Sequence, residues 1–233
     1  MKDQSTAILI FAQQSDQEVW RKKWIGPDRV SIRLIKEWNR KTLSIARKTG
    51  SPVLLSTDLI DHEGSFHDQI NNAFNRAFDL GFENILCIGN DCPGLHSESL
   101  TTALTLLESG KTVLGPDHSG GVYLIGINRQ IWKNLEVSQI PWQEHNLFDH
   151  LHQVVSQSSE VGLLEKLHDI HSAKAIRQSW LDRELSLSEM LDWQQFIRKN
   201  EQTVPSLFTE NIPVRCLCYS RDLRGPPLAR LTY

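Results

Sequence analysis

Short continuous apolar runs alternate along this chain with longer segments in which apolar residues recur every three or four positions. The short runs lie at Ala7–Ala12, Ser51–Thr57, Glu83–Gly89, Lys111–Gly115 and Gly121–Ile127, with a further one at Glu160–Leu167. Runs of this length bounded by turn residues predict buried strands. Between them, Ser31–Gly50 spaces Ile32, Ile35, Trp38, Leu43 and Ala46 along a helix that Gly50 ends. Phe66, Ile70, Ala73, Phe74, Ala77 and Phe78 fall on one helical face closed by Gly81. His96–Gly110 reads as a helix with Ser97 as its N-cap. Leu147–Val155, Ser172–Asp182 and Leu187–Lys199 read as helices too. Strands alternating with helices predict an α/β fold, Rossmann-like, with a mostly parallel central sheet and helices on both faces. From Glu201 the rhythm changes to short apolar pieces separated by Pro and Asn. The chain is therefore divided into an α/β domain, 1–200, and a C-terminal extension, 201–233, read as a small hairpin or a homo-oligomer contact.

Composition narrows the function classes. The 233 residues are 39% hydrophobic and 23% charged, which predicts a folded, soluble chain. A formal net charge of −3 offers no basic footprint, so nucleic acid is not an expected partner. No apolar run reaches the roughly 18 residues of a membrane span. The apolar run near the N-terminus is too short for a secretory signal, so cytoplasmic residence is the expectation. Of the four cysteines, Cys87 lies in an apolar run, Cys92 in a turn, and Cys216 and Cys218 sit two apart. That spacing predicts free thiols rather than a disulfide framework, and one such pair is half of a zinc motif.

Candidate chemistry begins where Ile85–Ile88 breaks into Gly89, Asn90, Asp91, Cys92, Pro93 and Gly94. Ligands of open α/β sheets sit beyond the carboxyl ends of strands, and Asp91 is placed at such an end. Two readings stand: a carboxylate that caps the local turn, or one that holds a cation. A second segment, Val113–Ile127, ends a strand at Gly115–Pro116, turns through Asp117, His118 and Ser119, and re-enters a strand after Gly120–Gly121. A hairpin-like turn would explain the glycines. So would close approach of backbone to a ligand. Two carboxylate-bearing turns at strand ends, Asp91 and Asp117, suggest one rim of one cleft.

Together, "IGNDCPGL" and "VLGPDHSGGVYLIGI" resemble a bacterial glycosyltransferase-like family of the GT-A, nucleotide-diphospho-sugar transferase fold. The family covers a domain of unknown function and radical-SAM-associated transferases. Its first element reads Gly-Ser-Asp-Cys-Pro-x-Leu and its second Gly-Pro-x-x-Asp-Gly-Gly-Tyr-Tyr-Leu-x-Gly. Ile140–Trp142 and Leu163–His171 fall where the family has Ile-Pro-Trp and Asp-Val-Asp, and the likeness spans about residues 5 to 180. The resemblance implies metal-dependent transfer of a sugar from a nucleotide-diphosphate donor to an unknown acceptor. Asp91 would hold Mg²⁺ or Mn²⁺ against the diphosphate, with Asp169 and His171 closing the metal site. Asp91 and Asp117 would be the catalytic carboxylates. Asn90, Pro93, Ser119, Gly120, Gly121 and Trp142 would line the substrate.

Departures from the family pattern open a second reading. Gln13 stands in place of a family Lys, and the Gly-rich phosphate loop that follows is absent, with Arg21, Lys22 and Lys23 as the nearby positive charges. Without that loop a nucleotidyltransferase fits poorly. Ser119 replaces the Asp of Asp-Gly-Gly, and His171 replaces the second Asp of Asp-Val-Asp. Imidazole suits Mn²⁺ better than Mg²⁺. The alternative is a catalytically degenerate member that keeps the fold as a ligand-binding or interaction module, its cleft plugged by Trp20, Trp24 or the tail. His118 reads as a surface turn residue or a base. His145, His150 and His152 with Asp149 read as solvated rather than metal-binding. Ser119 lacks the strand–turn–helix elbow of a nucleophile.

Overall fold

The computed structural model describes residues 5–12, 29–61, 63–171 and 173–185. All of these belong to the first of two units into which the chain divides, Met1–Leu191. The segment that carries Gln13, Trp20, Arg21, Lys22, Lys23 and Trp24, the helix predicted over 187–199, the extension from 201, and Cys216 and Cys218 lie outside the described residues.

Among the described residues six strands form one sheet: β1 (Thr6–Ile10), β2 (Val53–Leu55), β3 (Asn84–Ile88), β4 (Thr112–Pro116), β5 (Val122–Asn128) and β6 (Val161–Leu163). Their spatial order is β2-β1-β3-β5-β4-β6. β1 pairs in parallel with β2 and β3, and β4 in parallel with β6. β5 runs antiparallel to both of its neighbours, β3 and β4. The sheet is therefore mostly parallel with one reversed strand. That reversal follows from the short Asp117–Gly121 turn, which is too brief for the crossover that a parallel neighbour requires.

The helices among the described residues are α1 (Arg29–Lys48), α2 (Ser56–Leu59), α3 (Phe66–Asp79), α4 (Ser97–Glu108), α5 (Arg129–Lys133), α6 (Leu147–Val155) and α7 (Ala173–Leu181). Ala7, Leu9, Ile85 and Cys87 face α3 and α6, packing with Phe74, Phe78, Trp132 and Leu151. The alternate residues Ile8, Ile10, Leu86 and Ile88 face α1 and α4, packing with Ala46, Leu100, Ala103 and Leu107. Burial on both faces is why these strands read as unbroken apolar runs rather than alternating ones.

At its N-terminus α3 carries a reciprocal cap, with Ser65 and Asp68 each accepting from the other's backbone N–H. The hydrogen bonds from Ser65 hold the Asp68 carboxyl below the usual carboxylate range. One expectation fails at α4: His96, not Ser97, is its N-cap residue, and no side chain caps it. Ser97 is instead the first helical residue, with its hydroxyl on Glu98. α2, α5 and a single 3₁₀ turn at Val137–Gln139 have no counterpart in the hydrophobic pattern, being too short to show a period. No helix among the described residues is long and apolar enough to cross a membrane.

Candidate functional site

Because β1, β2, β3, β4 and β6 share one direction, their carboxyl ends meet at one edge of the sheet. Each strand hands over there to a loop that its neighbours fasten. After β1, Phe11 N–H donates to Ile88 O at 2.9 Å. The buried Ser56 hydroxyl donates to Ala12 O at 2.8 Å and accepts from Ala12 N–H at 3.1 Å, so the ends of β1 and β2 are tied together.

The turn after β3 is held from three sides. Gly89 N–H donates to Tyr123 O at 3.1 Å, and Ile170 N–H donates to Asp91 O at 2.8 Å. Lys41 Nζ donates to Pro93 O at 3.1 Å. Asn90 is 6% exposed and its amide bonds to the Asn39 side chain from α1. Asp91 is half-buried, and its carboxylate folds back over Gly89, where an added Cβ would lie 3.1 Å from Oδ1. The Ile170–Asp91 bond sets Asp169 and His171 beside this turn, so the structure brings the backbones of these three predicted residues together. Asp169 is half-buried, with Oδ1 fully enclosed. His171 is exposed, and its Nδ1–H donates to Asp169 O at 2.9 Å, which leaves Nε2 as the ring nitrogen for a further partner.

Cys92 is buried in the turn after β3. Burial pushes its thiol well above the ordinary range, and the carboxylates of Asp169, Glu184 and Asp91 push it further. Burial likewise raises the Cys87 thiol. Alkylation of the native protein at pH 8 followed by peptide mapping is therefore expected to leave Cys87 and Cys92 unmodified until denaturant is added. Rapid native labelling of either would contradict this packing.

The Asp117 turn behaves differently from the Asp91 turn. Asp117 is 5% exposed, and its Oδ1 accepts from Ser119 N–H at 2.5 Å and Gly121 N–H at 2.9 Å. This carboxylate holds its own loop in shape, an Asx turn. Gly120 has φ +88°, and Phe148 N–H, from the start of α6, donates to its carbonyl at 2.9 Å. On the far side the loop joins the segment after β6 through an isolated parallel bridge between Asp117 and Leu167. Ser119 is exposed. Trp142 is half-buried, donates its indole N–H to Val137 O at 2.9 Å, and tilts against Phe66 at 6.0 Å. Phe66 in turn meets Phe11 edge-on at 5.5 Å.

The bridge also sets His118 beside His168, whose rings stack at 4.0 Å and 17°. His168 Nε2 lies 2.7 Å from Asp182 Oδ2, and His168 N–H donates to both Glu184 oxygens at 3.1 Å. Hydrogen bonds from His168 and then Gln178 hold the Asp182 carboxyl below its usual range. Neither His168, Asp182 nor Glu184 was marked by sequence spacing. His168 does sit inside the Leu163–His171 motif, but the two acids follow α7 and reach the edge through tertiary contacts alone.

A family of uncharacterized proteins conserved in bacteria (DUF2064) matches residues 43–144, which include the Asp91 and Asp117 turns and Trp142. No curated protein sequence matches. Among solved structures, a candidate nucleotide-diphospho-sugar transferase from Desulfovibrio desulfuricans G20 superposes with a TM-score of 0.61 at 16% identity, covering 84% of this chain and 97% of that one. Rv0371c from Mycobacterium tuberculosis H37Rv matches with a TM-score of 0.44 at 14% identity, over 75% and 96% of the two chains. A glucose-1-phosphate thymidylyltransferase candidate from Bacillus anthracis gives 0.43 at 10% identity, over 78% and 97%. The fold is α/β with the GT-A, Rossmann-like architecture of the Desulfovibrio protein. At 16% identity the likeness to that protein shows the fold alone and leaves activity to the site itself.

Proposed function

We propose that this protein binds a nucleotide-diphospho-sugar at the carboxyl edge of its sheet and transfers the sugar to an acceptor, with a divalent cation held by Asp91, Asp169 and His171. The observation that supports the reading is the Ile170–Asp91 backbone bond, which places Asp169 and His171 next to the Asp91 turn; the three side chains do not converge on one point and would have to turn inward to share an ion. Two carboxylates and one imidazole fit a hard-to-borderline dication, and the histidine favours Mn²⁺ over Mg²⁺. Such a cation, when bound, neutralises charge that develops on the leaving diphosphate.

The chain's own residues do the remaining work. Asn90, Pro93 and the Asp91 turn fix one wall, anchored by Asn39 and Lys41 from α1. Asp117 acts in this reading as a positioning group: it preserves the Ser119–Gly121 backbone that would face the sugar. A direct catalytic part for Asp117 would compete with the two N–H groups that already occupy Oδ1. Trp142, fixed by its indole hydrogen bond, offers an apolar wall on the acceptor side.

Calorimetry with UDP- and GDP-sugars in the presence of Mn²⁺ tests the proposal. Binding is expected to depend on the metal, and Asp91→Ala to weaken it by roughly 10–100-fold or more. Absence of heat with every donor, or an unchanged affinity in the variant, would count against it. A second reading, a ligand-binding module without turnover, draws on Ser119 standing exposed where the resembling family has a carboxylate. Retained donor binding with no sugar hydrolysis or transfer would favour that module.

A further inference from the structure

We infer that His118, His168 and Asp182 form a second metal site, separate from the Asp91 set, that takes a zinc-class transition dication and leaves one coordination position open. One ligand atom from each residue lies within 4.8 Å of the others. A tetrahedral ion with bonds of about 2.0–2.2 Å sets its donors roughly 3.4 Å apart, so closure asks for an adjustment of up to about 1.4 Å and for the exposed His118 ring to rotate off its stack until both ring nitrogens point at the ion.

The placement is built by the backbone. Asp117 and Leu167 bridge in parallel, His118 N–H donates to Leu167 O at 3.1 Å, and the next residue on each segment is a histidine. Parallel neighbours present their side chains to the same side, which is why the two rings stack. His168 is 7% exposed, and its N–H is held by Glu184, which Ser179 Oγ anchors at 2.9 Å. Asp182 is fixed at the end of α7, where its N–H donates to Gln178 O at 2.9 Å. At 2.7 Å, the His168–Asp182 contact is the arrangement in which a dication replaces the shared proton.

Chemistry selects the ion. Two imidazoles and one carboxylate suit Zn²⁺, Co²⁺ or Ni²⁺ and discriminate against Mg²⁺, which demands oxygen donors. No fourth Cys, His, Asp or Glu joins the group among the described residues. Three protein ligands with a vacancy for water or an anion is the pattern of catalytic rather than structural zinc. None of the three residues belongs to the Asp91, Asp169, His171 set, so substitutions can address the two sites separately.

The test uses the full-length protein stripped with chelator and titrated with ZnCl₂, with Co²⁺ as a spectroscopic substitute. One ion per chain is expected at this site, with a further equivalent at the Asp91 set where that also fills, and with visible ligand-field absorption from bound Co²⁺. His118→Ala and Asp182→Asn, both at exposed positions, are each expected to weaken binding by at least ~10-fold. Asp91→Ala and the control His152→Ala should leave it within about threefold. The inference is overturned if no Zn²⁺ binds below about 1 mM. It is equally overturned if both variants bind as the parent does, or if Asp91→Ala abolishes binding. That last result would leave the donor-binding proposal standing, so failure of one reading is distinguishable from failure of the other.

Discussion

Gly120→Ala is expected to destabilise the protein by about 3–5 kcal/mol and to remove ligand binding at the rim even where the chain stays folded. Two independent effects add. The backbone at position 120 has φ +88°, a conformation that costs an L-residue about 1–2 kcal/mol. A Cβ there would also sit 1.8 Å from His145 O, a backbone atom that no rotamer change can move aside. The loop must therefore lift away from residues 145–148, which sacrifices the Phe148–Gly120 hydrogen bond, worth about 1 kcal/mol. Because the same loop carries the Asp117 cap and the bridge to Leu167, its displacement disturbs the edge on both sides. Thermal unfolding followed by circular dichroism should show a fall in Tm on the order of 10 °C. A variant with parental Tm would contradict the close approach of these two backbones.

Phe74→Ala should cost as much, about 3–5 kcal/mol, through a different mechanism. Phe74 is fully buried and stacks on Trp132 at 3.9 Å and 18°, with the tilted Phe78 ring 6.1 Å away. Removing the ring leaves a cavity beneath the sheet that α3 and α5 cannot both close, since each is anchored by other contacts. Chemical denaturation at constant m-value is the measurement. The contrast with Gly120→Ala is informative. Phe74 packs in the core beneath the strands, so the folded fraction of Phe74→Ala should bind ligand as the parent does. Loss of binding in both variants alike would mean that the rim and the core do not separate energetically.

Much of this architecture was legible in the sequence because burial on both faces leaves an unmistakable trace. The runs around Ile8, Leu86 and Ile125 are apolar throughout, and the Phe66–Phe78 spacing marks one helical face. The direction of β5 was not legible, since a run buried on both faces reads the same in either orientation. Only the shortness of the Asp117–Gly121 turn pointed to reversal. Ser97 was misassigned by one residue because Ser is favoured both at N-caps and in the first turn, and the choice depends on backbone angles at His96. At the site, the position of Asp91 just after a strand was legible from its turn, Asp169 was marked only by the family resemblance, and the local cap that Asp117 forms was not legible. Whether an Asp after a strand faces a ligand or caps its own loop depends on two N–H groups whose placement the Gly120 conformation decides. The His118–His168–Asp182 group was invisible for a plainer reason: it rests on a bridge between segments fifty residues apart and on a helix end beyond them.

The most direct measurement of the central claim is anomalous diffraction from crystals of the protein grown with Mn²⁺ and, in separate experiments, UDP and GDP. The account predicts a manganese peak between the Asp91 and Asp169 carboxylates, with diphosphate oxygens completing its coordination. A nucleotide bound away from that edge, or manganese absent from it in well-ordered crystals, would contradict the account.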